Sequence, residues 1–460
     1  MALTFLLGAA PYGSAATRHY YIAAEDGMWD YAPSGRDLTM ARPIPQPWGG
    51  HTSWMKTRYI EYTDASFKVR KPQPEWLGIL GPIIRAEVGD DVVVEFLNRG
   101  RVTHSIHPHG LHYDKDNEGS LYLPAGNGAQ IAPSGRFTYH WFADANSGPG
   151  PGQPSSIVWW YHGHTDEGRE TNAGLEGPII VTAKGKAKPD GSPRDVDQEF
   201  VTSYMIYDEL GPRAALTTLP TNGQFYAING YVFGNLPGLV MKRGARVRWH
   251  MMALGNEIDL HSPHWHGETV TDGQHRMDVV QLLPGGTETV DMIADNPGTW
   301  MLHCHVSEHM ELGMMASFTI YEPSTRACPV KVTSGNFWNG ADQFSMEVEN
   351  ASRKTIRSFT LTSEHLLGPQ FLHRPFADVE WIGKQPLAGG GKMTIEKKAY
   401  LPAQSKQIAA WVFLPTLITY DDGTTWKPQS ENECFSIVWR DAEHPELTVL
   451  PTLQVDMDLD

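Results

Sequence analysis

One order of events occurs twice in this chain, and no other feature restricts its fold as much. The segment GDDVVVEFLNRGRVTHSIHPHG (89–110) is echoed by GARVRWHMMALGNEIDLHSPHWHG (244–267). Further on, GRFTYHWFADANSGPGPGQPSSIVWWYHGH (135–164) is echoed by GGTETVDMIADNPGTWMLHCH (285–305), with the longer loop in the first copy. Self-similarity of this kind means one structural unit built twice. Inside each copy the runs are short, rich in β-branched and aromatic residues and bounded by Gly, Pro or Asn, as in DDVVVEFLN, SSIVWWYHGH and GPIIVTA. That is the pattern of strands joined by turns, and it predicts an all-β fold.

At 460 residues the chain exceeds what one hydrophobic core usually fills, so two or three domains are expected. The stretch KGKAKPDGSPRDVD (184–197) mixes charge, Gly and Pro without apolar periodicity and reads as an interdomain linker. The expected boundaries are 18–190 and 191–323 for the two repeats and 324–460 for a further β-sandwich. That last region has strands such as KQIAAWVFLPT and CFSIVWRD but no His-x-His pair, and its role is unassigned. Cys328 and Cys434 bracket it, which leaves a disulfide in an exported protein and a pair of buried free thiols both open.

Residues 1–17 begin with an apolar run followed by Ser14, Ala15 and Ala16, the shape of a secretory signal without its basic start. Secretion or a periplasmic location is the expectation, and an ordinary flexible N-terminus is the alternative. No segment is long and apolar enough to span a bilayer. With 37 basic and 53 acidic residues the net charge is -16, which repels phosphates and excludes a nucleic-acid partner.

In a strand, alternate side chains share a face, so His-x-His places two imidazoles a few ångströms apart on one side. The chain has four such pairs, His107 and His109, His162 and His164, His264 and His266, and His303 and His305, two at matching places in each repeat. Eight imidazoles exceed the four ligands at which a structural zinc closes, so several metal ions are implied. Sulfur beside the pairs selects copper. Two histidines, a thiolate and a weak axial methionine make a blue-copper site, and HCHVSEHMELGM with the preceding repeat offers His261, Cys304, His309 and Met314. Along one strand Cys304 points away from His303 and His305, so a single residue joins two kinds of site. In the first repeat the matching positions are Gly163, Gly168 and Ala173, and only His104 matches, to His261. A blue copper is therefore expected in the second repeat alone, and His104 reads as a remnant or a local hydrogen-bonding residue.

At these residues the chain resembles the multicopper oxidases, with YYIAAEDGMWDYAPSG, SIHPHGLHYDKDNEGSLY, TNAGLEGPIIV and GNEIDLHSPHWHG pointing to the ceruloplasmin-like branch and to two-domain laccase-like members. The resemblance covers about residues 18 to 322. It implies two tandem cupredoxin-like Greek-key β-barrel domains, followed here by the C-terminal β-sandwich. It implies four coppers: a type 1 ion, a type 2 ion on His107 and His264, and a type 3 pair on His109, His162, His164, His266, His303 and His305. Dioxygen is the implied acceptor. Two-domain members imply a homotrimer with each cluster at a subunit interface. The resemblance also marks Glu118 as a proton relay, against the alternative of a solvated loop carboxylate. Tyr113 is either a redox-active neighbour or a packed aromatic.

The electron donor is read less directly. Ferroxidases of this branch hold Fe(II) with carboxylates and a histidine near the type 1 site. Glu308 keeps one such acid, whereas the resemblance aligns Tyr226 and Thr221 with two other holding positions, and neither is a good ligand for a hard cation. The first reading is thus a laccase-like oxidase of phenols and small aromatic donors. The alternative is a ferroxidase or cuprous oxidase in metal homeostasis, and a non-catalytic copper-binding protein is the third.

Overall fold

The computed structural model describes residues 15–210, 223–255, 258–321, 328–336, 343–367, 372–375, 381–383, 385–398, 408–428 and 434–439. Strands dominate it. The two α-helices among the described residues, Glu167–Ala173 and Ser307–Glu311, are short and sit at matching places in the two repeats. No described helix is long and apolar enough to cross a membrane. The chain forms two compact units, one of Met1–Leu239, Gly244–Asp295 and Trp300–Ser317, the other of Val240–Arg243, Asn296–Thr299 and Phe318–Asp460.

In the first unit, one sheet of the first repeat runs Ser53–Tyr62, Thr17–Asp30, Asp91–Asn98, Arg136–Phe142, and its facing sheet runs Ile84–Glu87, Glu176–Thr182, Ser156–His162, His107–Pro108. Thr17–Asp30 pairs antiparallel with Ser53–Tyr62 and parallel with Asp91–Asn98. The second repeat uses the same scheme, Gln198–Asp208 pairing antiparallel with Gln224–Ile228 and parallel with Arg246–Ala253. A parallel pair cannot be closed by a hairpin, so the chain crosses from sheet to sheet and each repeat curls into a cupredoxin-like half-barrel.

Local sequence explains the packing. Along Asp91–Asn98 the residues Val92, Val94 and Phe96 alternate inward and are buried, each contributing roughly 1.5–3 kcal/mol. They meet Ile22, Tyr139 and Trp141 in the core of the first barrel. A second core joins the two barrels, with Trp29, Tyr31 and Trp160 from the first against Met205, Tyr207 and Phe225 from the second. Arg246–Ala253 is consequently buried on both faces, and its Arg248 is answered by Asp291 (2.7 Å), Ser155 (2.8 Å) and Ser156 (3.0 Å). Within 184–197, Pro189 accepts from Arg18 and Asp195 accepts from Ser155, so this connecting stretch is tied down rather than loose.

The second unit contains a three-stranded sheet, Val330–Asn336, Gln343–Asn350 and Lys392–Lys398, and a larger sheet centred on the long pair Ile356–Leu367 and Ile408–Tyr420. Val332, Met346, Phe359, Leu361 and Phe413 pack between them as a β-sandwich core. Cys328 and Cys434 are disulfide-bonded, with Cα atoms 5.2 Å apart.

Candidate metal centres

The strand Gly298–Cys304 pairs antiparallel with Pro263–Trp265, setting Pro263 opposite Cys304 and His264 opposite His303. Alternation along the strand then separates two sites. The Cys304 side chain is fully buried, and its Sγ lies 3.9 Å from His261 Nδ1 and 3.7 Å from His309 Nδ1, which are themselves 3.3 Å apart. A point equidistant from these three donors is about 2.1 Å from each, which matches the ~2.0–2.3 Å of metal bonds to imidazole nitrogen and thiolate sulfur. The donor set therefore fits a copper ion. Burial opposes ionisation of Cys304, but hydrogen bonds from His261 and His309, joined by the backbone amides of Ser262 and Val306, hold the thiol down at about 6. Met314 is fully buried beside this triangle, and its amide donates to the His309 carbonyl (2.9 Å). Asp259 lies 3.4 Å from His261 Nε2. Burial would lower the His261 pKa, yet Asp259 and Cys304 raise it above the ordinary value.

The other side of Cys304 belongs to a quartet of rings. His264, His266, His303 and His305 have centroids 4.8 to 5.5 Å apart in the pairs that touch, and His266 Nε2 is 3.0 Å from His303 Nε2. The first repeat builds the same object. His107 stands opposite His162 across paired strands, touching rings are 5.0 to 5.5 Å apart, and His109 Nε2 is 3.0 Å from His162 Nε2. Carbonyls fix the tautomers: His107 Nδ1 donates to Glu118 O (2.6 Å), His162 Nδ1 to Gly163 O (3.0 Å) and His303 Nδ1 to Cys304 O (2.8 Å). Each Nε2 is left with a lone pair facing its neighbours, the usual arrangement for metal-binding imidazoles. Burial, reinforced by neighbouring rings, holds His109 down at about 4 and His162 at about 3. These two rings are neutral and able to ligate near pH 7. Among the described residues no ring of one quartet contacts a ring of the other.

The remaining sequence candidates fall around these groups. Glu118 holds His107 through its carbonyl, while its carboxylate is engaged by Lys115 and by Tyr122 (2.6 Å). Tyr113 lies edge-on to His107, 5.9 Å between centroids. Glu308 is exposed on Ser307–Glu311, next to His309. Tyr226 is packed 5.3 Å from the His309 ring. Thr221 lies outside the described residues.

Sequence reasoning missed three acids. Asp259 stands two residues before His261, a spacing that could have marked it. Glu167, the repeat counterpart of Glu308, is 3.3 Å from His164 Nε2. Glu170 occupies the first repeat's equivalent of the Cys304 pocket, accepting from His104 Nδ1 (2.6 Å) and from the amides of Thr165 (2.6 Å) and Asp166 (3.0 Å). The expected absence of a thiolate site in that repeat thus has a physical occupant.

Multicopper oxidase family models match residues 77–186 and 210–324. The chain is 35% identical over 350 residues to "Ferroxidase HEPHL1" of Mus musculus, covering 68% of this chain and 30% of that protein. It is 36% identical to "Hephaestin" of Mus musculus over 66% of this chain and 29% of the relative, and 33% identical to "Ceruloplasmin" of Rattus norvegicus over 66% and 31%. The chain thus spans about 30% of the length of these curated relatives.

Proposed function

The chain belongs to the multicopper oxidase family, and from that membership we propose that it takes single electrons at a type 1 copper and delivers four of them to dioxygen, yielding water. His261, Cys304, His309 and Met314 hold the type 1 ion. His107 and His264 hold the type 2 ion, and His109, His162, His164, His266, His303 and His305 hold the type 3 pair, four coppers in all. Copper supplies the one-electron storage that lets dioxygen be reduced without release of partly reduced products. The observation that carries this reading is the position of Cys304, which closes the donor triangle while its two chain neighbours enter a ring quartet. Glu118, whose backbone carbonyl holds His107 while its carboxylate is engaged by Lys115 and Tyr122, is the proposed proton relay, with Tyr113 beside the same ring.

Each quartet is half of a trinuclear cage. A homotrimer in which the first quartet of one copy meets the second quartet of the next supplies the other half. Exposed apolar side chains support it: Leu121, Tyr122 and Leu123 follow Ser120, which hydrogen-bonds His164, and Ile258, Leu260 and Leu283 lie in the segments that pair through His261 and Leu282.

The donor we assign is a reduced metal ion, the alternative of the sequence analysis, in place of a phenol. The chain's similarity to ferroxidases supports it, as does Glu308, an exposed carboxylate beside His309 on a chain of net charge -16 that attracts cations. The disulfide Cys328–Cys434 supports export to an oxidising compartment. Dioxygen uptake by copper-loaded protein is the test, with Fe(II), Cu(I) and a diphenol compared. Faster uptake with a metal ion is expected. Uptake with the diphenol alone would return the laccase reading, and no uptake with any donor would remove the oxidase.

A further inference from the structure

Three donors of the type 1 set stand on regular backbone, His261 bridged to Leu282, Cys304 at the end of a paired strand and His309 on Ser307–Glu311. Met314 stands between that helix and the strand Met315–Tyr321. Its own amide and carbonyl are engaged inside the second barrel, by the His309 carbonyl (2.9 Å) and the Cys304 amide (3.1 Å). The residues on either side of it are held from outside. Phe233 N donates to Gly313 O (2.8 Å) and Gly234 N to Met315 O (2.9 Å). Both donors are left-handed, Phe233 at φ +52° and Gly234 at φ +75°. For a phenylalanine that conformation is strained, and it persists only where the surroundings impose it.

The surroundings belong to the first barrel. A hairpin of Arg36–Asp37 and Arg42–Pro43 is organised by the buried carboxylate of Asp37. That carboxylate accepts from Thr39 Oγ1 (2.7 Å), Met40 N (3.2 Å) and Arg42 Nε (2.9 Å). The hairpin tip reaches the second barrel. Leu38 N donates to Phe233 O (3.0 Å), and Thr39 Oγ1 lies 2.8 Å from Met315 Sδ. A Cβ on Gly234 would meet Thr39 Cγ2 at 2.8 Å, so the threonine methyl packs directly on that backbone.

We infer that the first barrel positions the axial sulfur of the second: the hairpin tip holds Phe233 and Gly234, and these hold the two residues that flank Met314. Thr39 is the positioning residue at the contact. The inference rests on the type 1 reading of the same donors. A thioether is the weakest donor of a blue-copper set and tunes its reduction potential. Its distance therefore follows the backbone that carries it, while the thiolate and imidazoles keep theirs. Released from the tip, Met314 recedes, donates less to the oxidised ion and leaves the site easier to reduce.

The experiment measures the type 1 reduction potential and the visible spectrum of copper-loaded protein in Thr39→Gly, Thr39→Val, Met314→Leu and the double variant Thr39→Gly with Met314→Leu. Thr39→Gly removes both contacts of the tip and should raise the potential while the intense thiolate band stays. Thr39→Val keeps the shape of the threonine and should stay near wild type. Met314→Leu should raise the potential further. Adding Thr39→Gly to it should bring no additional rise, because both changes act through one sulfur. An unchanged or lowered potential in Thr39→Gly would overturn the inference, and so would a Thr39→Val shift as large as that of Thr39→Gly. An equal rise in the Met314→Leu background would overturn it too, by making Thr39 a packing residue for the whole site. Loss of the blue band in Thr39→Gly would do the same, by tying the other three donors to the tip. Failure of the oxidase reading would show earlier, as a wild-type protein with no blue absorption.

Discussion

The two barrels carry the same pocket and fill it differently. In the second, His261, Cys304 and His309 converge at 3.3 to 3.9 Å. In the first, His104 matches His261, but Gly163, Gly168 and Ala173 replace the other three, and the carboxylate of Glu170 occupies the space. A Cβ on Gly163 would come within 2.8 Å of Glu170 Cβ and Cδ. The backbone is indifferent to the exchange. The amide of Thr165 donates to Glu170, and that of its counterpart Val306 lowers the pKa of Cys304. An imidazole Nδ1 faces the anion in both halves. The scaffold therefore presents a hydrogen-bonding socket for an anion, and the identity of that anion decides whether a metal can follow. A thiolate bound by two imidazoles leaves a metal-sized gap, whereas a carboxylate held at 2.6 Å by one imidazole closes it.

The sharpest way to break this contrast is Cys304→Ser. It should abolish the blue absorption and lower donor oxidation by about a thousandfold or more, as loss of an obligatory ligand does, while leaving the first barrel unaltered. A residual blue signal would place a thiolate site elsewhere. Next in size is Glu170→Ala, which strands His104 Nδ1 without its buried hydrogen-bond partner and should cost about 1–3 kcal/mol in chemical denaturation, with copper content unchanged. A loss of copper would mean that Glu170 belongs to the metal chemistry.

The two halves also predict different pH windows in copper-free protein. Cys304 is held at about 6 against an ordinary 9.0, so the unfolded chain binds the extra proton between those values and stability should rise across pH 6 to 9, by up to a few kcal/mol. Cys304→Ser should flatten that window. His162 at about 3 and His109 at about 4 lie below their ordinary 6.5, so stability should fall as pH drops from 6.5 towards 4, and Cys304→Ser should leave that window intact. The smallest expected spectroscopic effect is Gly163→Cys alone, whose Cβ crowds Glu170 and which should bring no second blue signal because Gly168 and Ala173 supply neither the second imidazole nor the thioether.

How much of this was legible beforehand depends on whether a residue announces itself by pattern. The ring quartets and the triangle follow from strand alternation and the repeat, since four His-x-His pairs and a lone Cys between two histidines have few other uses. His104 was read as a remnant or a local hydrogen-bonding residue, and its bond to Glu170 realises the second reading with a partner that had not been named. Glu170 sits inside an acidic helix segment, EGRETNA, where an acid is unremarkable, and only the three-dimensional overlay of the repeats shows it standing in for a ligand. Tyr226 was read only as a weak cation ligand because sequence shows no burial. The phenol reading came from those weak ligands, and the ferroxidase relatives now favour the metal-ion alternative. The C-terminal sandwich was visible as strands, while the Cys328–Cys434 bond depends on a Cα approach across 106 residues that spacing does not reveal.

The account stands or falls on an asymmetry between two nearly identical pockets, and copper analysis combined with integrated electron paramagnetic resonance of the fully loaded protein addresses it directly. Four coppers per chain should be found, with one type 1 signal per chain. Two type 1 signals per chain, or a single copper in total, would contradict it.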